Sequence, residues 1–208
     1  MSKKSESLSL HPSSLIPPPL VRVFYAVELP AQVRQRAGEH IADLRSRMPQ
    51  VRAGWAHSER LHITMKFLGE IEQEGVAALS GAAERAARSL SPFNIIIEGA
   101  GAFPPRELPR VLWLGVKDAS GSLNRLQLNL ENECEGVGFA REARPFHPHL
   151  TIARLRRPDG ARRLAALHQE KGFAPVEVSV GDLIVMRSQL GPGGSIYTEL
   201  SRHRLGVQ

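Results

Sequence analysis

Two short stretches of this 208-residue chain carry the same side chains at the same spacing: His62-Ile63-Thr64-Met65 and His149-Leu150-Thr151-Ile152. Each reads His, apolar, Thr, apolar. Side chains alternate along an extended strand, so each His and its Thr project from one face while Ile63 and Leu150 point into the core. An imidazole titrates near pH 6.5 and can therefore hold or release a proton near neutrality. Two imidazoles can divide the work, the neutral one accepting a proton and the protonated one giving one up. In-line displacement at phosphorus needs this division, because a proton must leave the attacking water and another must reach the departing oxygen. The threonine hydroxyls would donate hydrogen bonds to non-bridging phosphate oxygens, where charge accumulates.

Other readings of these residues set the comparison. A lone histidine is an ordinary hydrogen-bonded or surface group, and His11, His40, His57, His168 and His203 fit that description. His62, His147 and His149 form a competing metal-ligand set, but no carboxylate accompanies them at ligand spacing, and we expect neither metal nor cofactor. The chain has no G-x-x-x-x-G-K-[ST] loop, and the glycines at 191–194 do not lead from a strand into a helix as nucleotide loops do. Arg154 is the best candidate for an additional phosphate contact, although strict alternation from His149 turns it to the opposite face. Lys66 shares the parity of His62 and Thr64 and reads as a solvated strand end. Phe24, Trp55, Phe146 and Tyr197 are read as core aromatics, with base stacking as the alternative.

The elements that must position these groups follow from periodicity. Arg22 to Leu29 is a β-branched and aromatic run, Ala31 to Met48 places Val33, Ala37, Ile41, Leu44 and Met48 on one helical face, and Leu61 to Leu68 alternates as a half-buried strand. A second helix from about Glu72 to Leu90 and a strand from Phe93 to Glu98 complete a β-α-β-α-β order. The second half repeats it: a strand from Arg110 to Val116, a helical stripe through Leu123, Leu126, Leu130, Cys134 and Val137, a strand from His147 to Leu155, a helix from Gly160 to Lys171 and a strand from Val176 to Arg187. A glycine turn then leads into a last strand, Ile196 to about Leu205. His62 follows Arg22 by 40 residues and His149 follows Arg110 by 39. Two similar halves related by a pseudo-twofold axis would bring the two His-Thr pairs face to face across a cleft.

Charge and cysteine content narrow the setting. The net charge is +6, and five of those charges lie in residues 141–163, where Arg141, Arg144, Arg154, Arg156, Arg157, Arg162 and Arg163 oppose only Glu142 and Asp159. The reading is a rim for an anionic partner beside the second motif. A single cysteine, Cys134, excludes an intrachain disulfide, suits a reducing compartment and falls on the buried stripe of its helix, so a nucleophilic thiol is not expected. No apolar run is long enough for a spanning helix. Residues 1–20 lack a continuous apolar core and end in prolines, and read as a disordered extension before a domain at 21–206.

The paired motifs, set in Leu61-His62-Ile63-Thr64-Met65-Lys66-Phe67-Leu68-Gly69 and Arg144-Pro145-Phe146-His147-Pro148-His149-Leu150-Thr151-Ile152-Ala153-Arg154, resemble those of the two-histidine phosphoesterase superfamily. Within it the chain is similar to the RNA 2′,3′-cyclic phosphodiesterase family, also called 2′-5′ RNA ligase-like. The resemblance covers about residues 21–206 and includes Gly101-Ala102-Phe103-Pro104, Val111 to Val116 and Leu190 to Gly194 before Tyr197-Thr198. It implies an α+β, bilobed fold with a central cleft and no metal requirement. It further implies hydrolysis of an RNA 2′,3′-cyclic phosphate end to a 2′-phosphate. We expect a cytoplasmic monomer with no membrane association. Carried over by position, His62 would be the proton donor, His149 the proton acceptor, and Thr64 and Thr151 the phosphate-holding groups; Arg154 stands apart as a candidate phosphate contact, with a structural or surface role as the alternative. The alternatives are 2′-5′ ligation in the reverse direction, hydrolysis of a small cyclic nucleotide, and noncatalytic RNA binding.

Overall fold

Alternating and helical periodicities fall into nine strands and four helices among the residues described by the computed structural model, which are 18–105, 108–192 and 194–207. The extension expected at residues 1–20 lies outside the described residues up to residue 17, as does Gly193 of the glycine turn. The strands are β1 (Leu20–Glu28), β2 (Ala53–Trp55), β3 (His62–Glu72), β4 (Phe93–Phe103), β5 (Val111–Lys117), β6 (His149–Leu155), β7 (Val176–Val180), β8 (Asp182–Gly191) and β9 (Gly194–Arg204). The helices are α1 (Ala31–Arg47), α2 (Gly75–Arg88), α3 (Ser122–Gly136) and α4 (Ala161–Lys171). Val33, Ala37, Ile41 and Leu44 are buried on α1, and Leu123, Leu126, Leu130 and Cys134 on α3, as their spacing requires.

The strands form two antiparallel sheets, one in the order β3-β1-β8-β9 and the other β2-β6-β5-β4-β7. The internal repeat is present, but a lobe is not a chain half. The first half's last strand, β4, pairs with β5, and the second half's β8 pairs with β1, so the halves exchange strands between the sheets. Helices cross as well: α2 and α3 pack together over the four-stranded sheet, while α4 lies on β4 and meets α1. The strand expected from Val176 to Arg187 is in fact two. Gly181 separates β7, in the five-stranded sheet, from β8, in the four-stranded one. A continuous apolar run conceals a change of sheet, because both strands bury the same residue types.

Each motif ends in a β-bulge at the same position. Ala26 pairs with Thr64 and Tyr25 with Lys66, leaving Met65 as the extra residue. Trp113 pairs with Thr151 and Leu112 with Ala153, leaving Ile152. A bulge sets two residues against one and reverses the alternation beyond it. Met65 and Lys66 therefore both point into the core, as do Ile152 and Ala153. The next residues, Phe67 and Arg154, emerge on the same face as the motif histidines.

This overturns the expectation for Lys66. It is 5% exposed, and its ammonium donates to the Glu131 carboxylate of α3 at 2.6 Å and to the Ala140 carbonyl at 2.8 Å. Glu131 also accepts from the Glu142 backbone N–H and from Gln127. Such a charge is tolerated inside because it is paired with a carboxylate and hydrogen-bonded. Cys134 is buried as expected, with its thiol against the Tyr25 hydroxyl at 3.5 Å and its pKa pushed up by burial.

Candidate active site

The most extensive approach of a strand of one sheet to a strand of the other is between β3 and β6, the strands that carry the two motifs. β3 is the edge of its sheet, and β6 lies between β5 and the short β2, which pairs only with Ala153 to Leu155. Thr64 is exposed and Thr151 half-buried, each on the face of its histidine.

Both imidazoles are held in the same way. Nδ1 of His62 lies 2.8 Å from the Arg60 carbonyl, and Nδ1 of His149 lies 2.7 Å from the His147 carbonyl. A carbonyl only accepts, so each Nδ1 carries a hydrogen and donates it. The tautomer is thereby fixed, and each Nε2 remains as the nitrogen that can accept or deliver a proton. The carbonyl on the His62 side is itself anchored, because the Arg60 guanidinium donates to the Ser195 carbonyl at 2.8 Å. His147 precedes β6 instead of sharing its face, and its carbonyl holds the His149 ring. Among the described residues no three His, Cys, Asp or Glu side chains converge as a metal site would require, so the ligand set His62, His147 and His149 is not assembled.

Aromatic rings hold the imidazoles in place. His62 packs between Phe24 (4.8 Å between centroids) and Tyr197 (5.1 Å), and His149 packs edge-on to Phe103 (5.3 Å), which in turn meets Trp113 (5.2 Å). Of the aromatics singled out by sequence, Phe24 and Tyr197 therefore border the site, whereas Trp55 and Phe146 pack against the core. Phe103 was missed, and it belongs to a glycine-flanked segment whose strand extends well past Glu98. A cleft of about 400 Å³ opens beside His149, bounded by Phe103, Trp113, Gly115, Lys117 and His147. No side chain fits at Gly115, where a Cβ would come within 2.5 Å of the Glu98 carbonyl oxygen.

Burial pushes both histidines below the ordinary imidazole value, and the carbonyl bonds partly oppose it. His149 is depressed further by the charges of Arg154 and His147. Arg154 thus faces the site, against the expectation from strict alternation, because the bulge at Ile152 restores its side chain to the histidine face. The basic segment is divided by the fold. Arg144 is committed to Glu142 through two 3.0 Å bonds and Arg141 to Asn132 and Glu135, while Arg162 and Arg163 are exposed on α4 in the helical layer. Only Arg154, with Arg156 and Arg157 just beyond the end of β6, continues the motif strand as a basic rim.

The profile of the 2′-5′ RNA ligase superfamily matches residues 31–192. A curated relative from Methanothermobacter thermautotrophicus, named RNA 2′,3′-cyclic phosphodiesterase, is 34% identical over 89% of this chain and 99% of its own. One of the same name from Aeropyrum pernix is 40% identical over 68% of this chain and 80% of its own. Among solved structures, one from Thermus thermophilus superposes with a TM-score of 0.74 at 29% identity, covering 89% of this chain and 98% of that one. E. coli LigT complexed with 3′-AMP gives 0.68 at 28% identity, covering 90% and 99%. With two antiparallel sheets carrying one anchored histidine each, and a profile match spanning most of its length, the chain belongs to the 2′-5′ RNA ligase superfamily.

Proposed function

We propose that this chain is an RNA 2′,3′-cyclic phosphodiesterase that opens a terminal cyclic phosphate to a 2′-phosphate. The observation that carries the reading is the matched pair of imidazoles, each with Nδ1 tied to a carbonyl and Nε2 left for proton transfer. The curated relatives' shared name and the 3′-AMP held by LigT support the substrate class.

Nε2 of neutral His149 accepts a proton from water as its oxygen attacks phosphorus opposite O3′. The P–O3′ bond breaks, and protonated His62 delivers its Nε2 proton to O3′, leaving a 3′-hydroxyl and a 2′-phosphomonoester. Exchange with solvent resets both rings. Thr64 and Thr151 donate hydrogen bonds to the non-bridging oxygens, and Arg154 compensates charge on the phosphate. The roles follow from the surroundings: the Arg154 and His147 charges bias His149 toward the neutral form that a base requires. His62 is also lowered by burial, and an anionic substrate beside it would favour the protonated form that a donor requires. Every proton step uses an imidazole, and the reaction as assigned needs no metal. Residues 21–206 act as one catalytic domain, and a single protomer in the cytoplasm suffices. Among the described residues no helix is long and apolar enough to cross a membrane.

The test is incubation of the protein, in the presence of EDTA, with an oligoribonucleotide ending in a 2′,3′-cyclic phosphate, and identification of the product. A 2′-phosphate supports the assignment. A 3′-phosphate reverses the leaving group, a requirement for added metal removes the imidazole-only scheme, and a 2′-5′ joined product with a 5′-hydroxyl acceptor makes the chain a ligase. Turnover confined to cyclic mononucleotides would point to a small-molecule phosphodiesterase, and unaltered RNA bound equally by the histidine variants to a binding module.

A further inference from the structure

The face of β3 that carries His62 and Thr64 continues past the bulge to Phe67, which is 48% exposed. Arg22 of the neighbouring strand β1 is also exposed and sets its guanidinium over the Phe67 ring, 4.9 Å from the centroid. At the equivalent place on β6, beyond the other bulge, stands Arg154. One end of the motif face is therefore cationic and the other is an aromatic ring flanked by a cation. An exposed phenyl face is a surface on which any base can stack, and a planar guanidinium extends that surface while adding positive charge for a phosphate. The pair is not part of the chemistry. Phe67 lies five residues along the strand from His62, a Cα separation of roughly 15 Å at strand rise, and its register partner Phe24 is the ring that walls the imidazole, so Phe67 stands beyond that wall.

We propose that Phe67 and Arg22 form a stacking platform for the base of a nucleotide upstream of the reacting end, and that it favours polynucleotide ends over free cyclic mononucleotides. This rests on the phosphodiesterase reading. The platform is indifferent to base identity, since it offers a ring face and a charge but no set of hydrogen bonds to a base edge. It gives the exposed ring on edge strand β3 a function continuous with the site.

The experiment compares kcat/KM on an oligoribonucleotide with a 2′,3′-cyclic end and on a 2′,3′-cyclic mononucleotide, for the wild type, Phe67→Ala, Phe67→Trp and Arg22→Gln. Wild type is expected to favour the oligonucleotide. Phe67→Ala should lower the oligonucleotide-to-mononucleotide ratio about tenfold, Arg22→Gln should lower it less, and Phe67→Trp should keep it near wild type. An unchanged ratio in Phe67→Ala, or equal losses on both substrates, would overturn the platform, whatever happens to thermal stability. If the wild type cleaves neither substrate, the phosphodiesterase reading fails by itself. Fluorescence anisotropy with a labelled oligoribonucleotide ending in a 3′-phosphate then decides the platform, which requires weaker binding by Phe67→Ala and is refuted by equal binding.

Discussion

The two motif strands are built alike and furnished differently. In both, the histidine Nδ1 donates to the carbonyl two residues back, the threonine shares its face, and a bulge falls on the fourth motif residue. Beyond that point the lobes diverge. Strand β3 turns a lysine inward, where it meets Glu131, and a phenylalanine outward; strand β6 puts Ala153 and Arg154 at the same places. His62 lies between two rings, whereas His149 has one ring, a cleft and a cation beside it. A symmetric scaffold supplies two imidazoles held in the same way, and the residues after the bulges make their surroundings different.

Removing either imidazole breaks the comparison most severely. His62→Ala and His149→Ala should each lower kcat by about 10²–10⁴-fold without loss of secondary structure by circular dichroism. A large loss from one and a small loss from the other would mean that only one lobe does proton chemistry. The second difference, Lys66 against Ala153, should appear in stability. Lys66→Ala leaves Glu131 buried without its cation and should cost about 3–5 kcal/mol in urea unfolding, while pairing Lys66→Met with Glu131→Leu should recover most of it.

Two smaller effects sharpen the lobe assignment. Arg154→Gln should raise KM about tenfold and reduce the salt dependence of binding by close to one ion, whereas Arg156→Gln should do less. It should also move the acid limb of kcat/KM to higher pH. Arg154 holds His149 down, so its removal lets the base take up a proton sooner as pH falls. In the wild type both histidines sit below 6.5, so the bell for kcat/KM should centre on the acid side of that value. Its alkaline limb reports deprotonation of His62 and its acid limb protonation of His149. A kcat/KM that climbs steadily into alkaline pH would assign the base to some other group.

The chemistry was the most legible part of the sequence, because period-two alternation makes His62-Thr64 and His149-Thr151 recognisable at a glance, and most helices and strands followed from their apolar spacing. The bulges were not legible. Met65 and Ile152 carry no glycine or other local mark, and the partners that expose the slip, Tyr25 and Leu112, lie 40 residues upstream of each. Hence alternation alone puts both Lys66 and Arg154 on the wrong face. The partner of Lys66 is 65 residues away, on a helix whose stripe otherwise looks ordinary. Sheet membership was equally hidden, since apolar strands advertise burial and not their neighbours; Gly181 was the one available sign of a break between Val176 and Arg187.

The exchanged strands also govern how the molecule can be made on a ribosome. Strand β1 precedes the other described elements and is an interior strand of its sheet, yet one of its two neighbours is β8, joined through pairs such as Arg22 with Ser188. Until nearly the whole chain has emerged, one edge of β1 has no partner and is open to wrong pairing. Contacts of such long sequence separation form slowly, so the β1–β8 pairing is expected to be a late step in folding.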